Sequence, residues 1–196
     1  REMNLYRSTD DFLNRITMYK LVLYYVLVIL VAAIILCLFG VLSYSPLALI
    51  FSAAFITIIC LITNTIFAWA FRAPTNTESV YITAIILALI ITPLSSPTDW
   101  VFFSLATWAS ILAMASKYIL AIGKKHIFNP AAIALVLTAI FLNQNASWWV
   151  GSAVLAPVVL IGGLLVAKKI LRFDLVISFL VTSLIVTIFS FVQNGI

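Results

Sequence analysis

From Lys20 onward the chain is a series of aliphatic runs broken only by short polar or proline-bearing stretches. Hydrophobic residues make up 65% of its 196 positions and charged residues only 9%, with a mean hydropathy of +1.23. A water-soluble domain carries roughly a quarter charged residues. The chain cannot face water over most of its surface, and the reading is an all-α integral membrane protein, a multi-pass helical bundle in a lipid bilayer. Breakers and hydropathy divide it into about seven segments, near 20–43, 47–71, 79–95, 100–122, 129–142, 148–171 and 173–193. Crossing the hydrocarbon core takes about 20 helical residues. Segments one, two, four, six and seven meet that length easily, whereas the third and fifth are short. Short, proline-interrupted spans mark binding sites in membrane folds, because broken helices aim their termini at a ligand.

Charge tests the count. If all seven segments cross, all 11 Lys and Arg residues fall on one side, and the other side keeps only Asp99. The positive-inside rule then predicts a cytoplasmic N-terminus and cytoplasmic basic loops. Trp100, Trp148 and Trp149 sit at predicted outer ends, Trp69 and Phe71 at an inner end, where amphipathic rings favour headgroups. Residues 1–19 form a separate N-terminal segment before the membrane domain of 20–196. They mix charge with apolar residues and suit either a surface-lying amphipathic helix or an unstructured lead-in. The chain starts at Arg1 and stops at Ile196 just after an apolar run, and the expectation is a longer protein.

Several function classes are excluded by what the motifs lack. The net charge of +5 comes without a basic groove interleaved with stacking aromatics, so nucleic acid is not an expected partner. Cys37 and Cys60 lie inside apolar spans as small core residues, and the single His126 has no second ligand nearby, so no metal site is expected. With six acidic residues, mostly in loops, and no Ser/His/Asp set, the chain holds no residue expected to be catalytic by itself.

The possible chemistry is concentrated in Ser116–Ala132, SKYILAIGKKHIFNPAA. Asn129 is suited to capping a helix and Pro130 to its first position, where no N–H donor is needed. Free N–H groups at that helix start would face Lys124, Lys125 and His126, an arrangement suited to an anion. The plainer explanation of the same cluster is positive-inside charge. Lys117 likewise serves as a topology anchor or as a ligand group, and its neighbours Ser116 and Tyr118 carry no special signal. Ser79 and Thr83 lie on the short third segment, either bonding their own helix carbonyls or lining a cavity near the surface. Asn64, in mid-span, requires a partner on another helix. Pro157 and Gly162-Gly163 suggest a bend and close packing in the sixth span.

The order ESVYITAIILALIITPL, then SKYILAIGKKHIFNPAAIALVL, then WWVG followed by AKKILRFDLVISFLVTSL resembles the membrane subunits D of Rnf electron-transport complexes and B of sodium-pumping NADH:quinone oxidoreductases. It is strongest over residues 78–138, with Ser79, Thr83, Lys117 and the Phe128-Asn129-Pro130-Ala131 motif in order. The resemblance implies a fold of two inverted five-helix repeats similar to urea transporters, of which this chain holds the first repeat and two helices of the second. It implies a flavin, FMN or riboflavin, and electron transfer from an NADH- or ferredoxin-linked donor, with sodium or proton movement. It also implies a soluble FAD/NAD reductase domain, fused or separate, or other complex subunits as partners. The location it implies is the bacterial inner membrane. Related chains attach FMN to a Thr within a Ser/Thr-Gly-Ala-Thr-like motif between helices five and six. Here that connection is Asn143–Ser147, NQNAS, so covalent FMN is not supported and the implied flavin is non-covalent. The candidate contacts are Ser79, Thr83, Lys117, Lys124, Lys125, His126 and Asn129. The rival readings are a small-solute transporter or channel, and a passive membrane anchor for a reductase domain.

Overall fold

The computed structural model describes residues 17–122, 125–171 and 173–193. Among them the regular structure is helical apart from one pair of two-residue strands. The helices are α1 (Met18–Leu38), α2 (Pro46–Phe71), α3 (Thr77–Ile90), α4 (Trp100–Ile119), α5 (Pro130–Leu142), α6 (Ala156–Ile170) and α7 (Phe173–Gln193). Between α4 and α5, β1 (Ala121–Ile122) pairs antiparallel with β2 (Lys125–His126), in register Ala121 to His126. The basic run Lys124–His126 therefore includes the short strand β2; Lys124 itself lies outside the described residues.

Four helices, α1, α2, α4 and α7, with 21, 26, 20 and 21 residues, are long and apolar enough to cross a membrane. At 1.5 Å per residue, about 20 residues match a hydrocarbon core of about 30 Å. The third and fifth segments are short as expected, with 14 and 13 helical residues. The sixth departs from expectation. Its helix has 15 residues, because Trp148–Leu155 is spent on turns before Ala156. Pro157 stands at the second helical position, where its missing N–H costs nothing, so it starts the helix and does not bend it.

The chain forms two compact units, one over Tyr19–Val158 and a second holding the remainder of α6 and α7. In the first, α4 is the most extensively packed helix, and α3 packs against α2, α4 and α5. Half of the α3 residues are buried, among them Val80, Ala84, Leu87 and Ala88. That enclosure explains how so short a helix persists. A non-helical backbone at membrane depth is tolerated where protein surrounds it, and the extended residues on both sides of α3 meet protein groups. Small residues let the neighbours come close: Ala106, Ala109 and Ala113 of α4 join Ala131 and Ala134 of α5 in one core cluster, the pattern expected where packing and not hydrophobicity drives helix association. In α1 a single stripe of Leu21, Val26, Ile29, Ala33 and Cys37 is buried.

In the second unit, α7 buries none of its residues. Its hydroxyls Ser178, Thr182 and Thr187 donate to carbonyls one turn earlier, at 2.7–2.8 Å. The helix thus turns its polar atoms onto its own backbone and shows hydrocarbon on every side, as expected of a lipid-facing span.

Candidate functional site

The ends of α2, α3 and α4 meet where their chain directions alternate. The C-terminus of α2, the N-terminus of α3 and the C-terminus of α4 converge on a cavity of about 570 Å³. Its chemistry comes from Asn64, Phe71, Arg72, Ser79, Lys117 and Tyr118. Tyr19, at the start of α1, also lines it, so four helix ends share this side.

Local sequence places each group. Asn76 caps α3, its side-chain oxygen accepting the Ser79 N–H at 3.2 Å, which fixes the first turn and the orientation of Ser79. Lys117 is half-buried in the last turn of α4. Its ammonium donates to the Ser79 carbonyl at 2.8 Å and to Ser79 Oγ at 3.1 Å. An ammonium has three donors; these contacts use two. Among the described residues no carboxylate forms an ion pair with Lys117, and none lines the cavity. Charge held away from water without an opposite charge favours capture of an anionic or strongly accepting group.

One wall is aromatic. Tyr118 lies 6.0 Å from Phe67 and 5.9 Å from Phe71, centroid to centroid, with planes inclined by 22° and 32°. Its hydroxyl donates to Asn64 Oδ1 at 2.8 Å. The mid-span amide of Asn64, which is 5% exposed, thereby finds its partner on a neighbouring helix. Arg72, in the left-handed conformation at φ 48°, ends α2 at the cavity rim.

The candidate residues do not all converge here. Ser79 and Lys117 are in direct contact. Thr83 is buried one turn deeper, donates to the Ser79 carbonyl at 2.8 Å, and does not line the cavity. This is the backbone-bonding role, not the cavity-lining one. Asn129 caps α5 as its sequence predicts, accepting from the N–H groups of Ala131 and Ala132 at 3.0 and 3.5 Å, and it too lies away from the cavity lining. Lys125 and His126 are described here only by their strand backbone, and Lys124 falls outside the described residues. Sequence reasoning missed Tyr118, Phe71 and Arg72. The available signal was the buried amide Asn64 together with aromatics four apart at Phe67 and Phe71, which share a helix face.

At the other end of α3 the groups that hold the helix end are neutral. Trp149 was expected among the interfacial aromatics, but it is 8% exposed. Its indole N–H donates to the Ala88 carbonyl at 3.2 Å, one of the acceptors that α3 leaves unpaired as it ends. Tyr44 meets the indole edge-on at 5.3 Å. Trp100 and Trp148 stay exposed, at 80% and 61%. Ser52 Oγ accepts the Leu94 N–H at 3.0 Å. A cavity of about 680 Å³ opens here, lined by hydroxyl and apolar groups such as Ser43, Tyr44, Thr92 and Ser95. Asp99, beside it, caps α4 through the Phe102 N–H at 3.0 Å and accepts from the Ser95 hydroxyl. Those bonds, the Ser95 hydroxyl foremost, hold its carboxyl below the ordinary carboxylate range.

Comparison with known protein families, with curated protein sequences and with solved structures found no match for the chain.

Proposed function

We propose that the chain is a membrane-embedded electron-transfer module that binds a flavin non-covalently in the cavity around Lys117. The observation that carries the reading is the half-buried Lys117 ammonium, held by Ser79 beside an aromatic wall, with no carboxylate among the described residues of the cavity lining. A cavity of about 570 Å³ falls within the span typical of cofactor sites, roughly 300–1,000 Å³. The ring would supply the redox chemistry, while the protein holds and orients it. The resemblance over residues 78–138 adds the family content: a five-plus-five inverted-repeat fold, an NADH- or ferredoxin-linked donor reached through a reductase domain or partner subunit, and coupled ion movement. On that reading all seven helices change sides and the basic ends face the cytoplasm of a bacterial cell. Asn129, which caps α5 away from the cavity lining, then serves the fold and not the flavin.

The test is spectroscopic. Protein purified in mild detergent, with and without reconstitution with FMN or riboflavin, should carry the visible absorbance of oxidised flavin and bleach on reduction. A chain that binds neither flavin after reconstitution is not this module. Solute uptake by proteoliposomes lacking any chromophore would favour the permeation reading instead.

A further inference from the structure

We infer that the cavity is divided into a ring seat and a phosphate clamp, so that it selects a phosphate-bearing flavin over the phosphate-free one; this rests on the flavin reading above. The seat is the wall of Phe71 and Tyr118. Both line the cavity, whereas Phe67, which stacks on each of them, does not. Phe67 is therefore a backing layer that fixes the tilt of the other two rings. Tyr118 is fixed further by its bond to buried Asn64. A rigid aromatic surface of this kind takes a planar ring at little cost in side-chain entropy, and offset stacking on it is favourable.

The clamp is cationic. Lys117 has one donor left after its two bonds to Ser79, and Arg72 stands on the same cavity with a planar fork of donors. Arg72 occupies a left-handed backbone state, which Gly or Asn adopts more cheaply in a helix cap. An arginine kept there places a cation at the mouth, and a guanidinium fork is the geometry that grips a phosphate through two bonds. The N-terminus of α3, whose dipole favours negative charge, contributes Asn76 and Ser79 to the same lining. Two cations, with no carboxylate among the described lining residues, suit a phosphate; a neutral ribityl end would leave the Arg72 fork unused.

The experiment titrates the full chain in detergent with FMN and, separately, riboflavin, followed by quenching of flavin fluorescence. Arg72 and Phe71 are exposed, so their substitution spares the core. Arg72→Gln should weaken FMN by about tenfold or more, the size of a lost charge-assisted pair, and leave riboflavin unchanged. Phe71→Leu should weaken both by a similar factor, about three- to tenfold. Inorganic phosphate should compete with FMN and not with riboflavin. If the parent chain binds both flavins equally and Arg72→Gln changes neither, the clamp is wrong and the electron-transfer reading stands. Failure of the parent chain to bind either flavin removes both.

Discussion

The two ends of α3 are finished by opposite chemistry. At Asn76–Ser79 the backbone is held by an amide cap and an ammonium, and the surrounding cavity retains unspent donors and a flat aromatic wall. At Ala88–Leu94 the backbone is held by an indole N–H and a serine hydroxyl, both neutral groups. The cavities are of similar size, about 570 and 680 Å³, so volume does not separate them. What separates them is whether the polar groups are consumed in holding the fold. Trp149 and Ser52 spend their hydrogen bonds on α3 and its exit, while Lys117 and Arg72 keep donors that no described residue takes up. Between the two ends, Ile56, Cys60, Leu87 and Ala109 pack in one core cluster.

The contrast can be broken first at Trp149. If the neutral end is structural, Trp149→Ala should cost the most stability, about 3–5 kcal/mol for a lost buried aromatic, and lower the melting temperature in detergent steeply. A variant that melted like the parent would place Trp149 outside the fold's supports. Next comes Asn64. Asn64→Leu leaves the Tyr118 hydroxyl without its acceptor and should cost about 1–3 kcal/mol. Adding Tyr118→Phe removes the orphan as well and should recover much of that loss, since coupled neighbours are non-additive. Additive losses would mean that the bond at 2.8 Å contributes nothing to fixing the aromatic wall.

Asp99 gives a smaller effect. Asp99→Ala removes a helix cap and should cost about 1 kcal/mol. The pH dependence follows from the direction of its shift. A carboxyl whose folded pKa is lowered stabilises the fold fully above the unfolded value, about 3.9. That contribution is lost as pH falls through the lowered folded value. Melting scans from neutral pH downward should therefore show an acid-side decline that is weaker in Asp99→Ala. A steeper decline in the variant would contradict the cap's role.

Much of the helical layout was legible because hydrocarbon runs and their breakers are local signals. Asn129 caps as its place before Pro130 predicts, whereas the Asn76 cap of the third segment was not read, and the short third and fifth segments announced themselves through Pro93 and Asn129-Pro130. The sixth segment was misread because Trp148–Leu155 is apolar enough to pass for helix. Its true role depends on a carbonyl 61 residues away, at Ala88, which no local pattern reveals. The site was half legible for the same reason. Lys117 and Ser79 stood out as polar residues in apolar runs, but that one bonds the other is a fact of helix packing. Tyr118 looked ordinary because its meaning comes from Asn64 and Phe71 on another helix. Thr83 and Asn129 were drawn toward the site by motif, and the structure instead spends their hydrogen bonds locally.

Lys117→Met tests the central claim most directly, since methionine keeps the length of the stem and removes only the charge and its donors. The parent and the variant, both purified in detergent and shown to melt alike, would be titrated with FMN. The account predicts saturable binding to the parent and a loss of about tenfold or more in the variant, in line with one charge-assisted contact. Equal FMN affinity in the two proteins would contradict it.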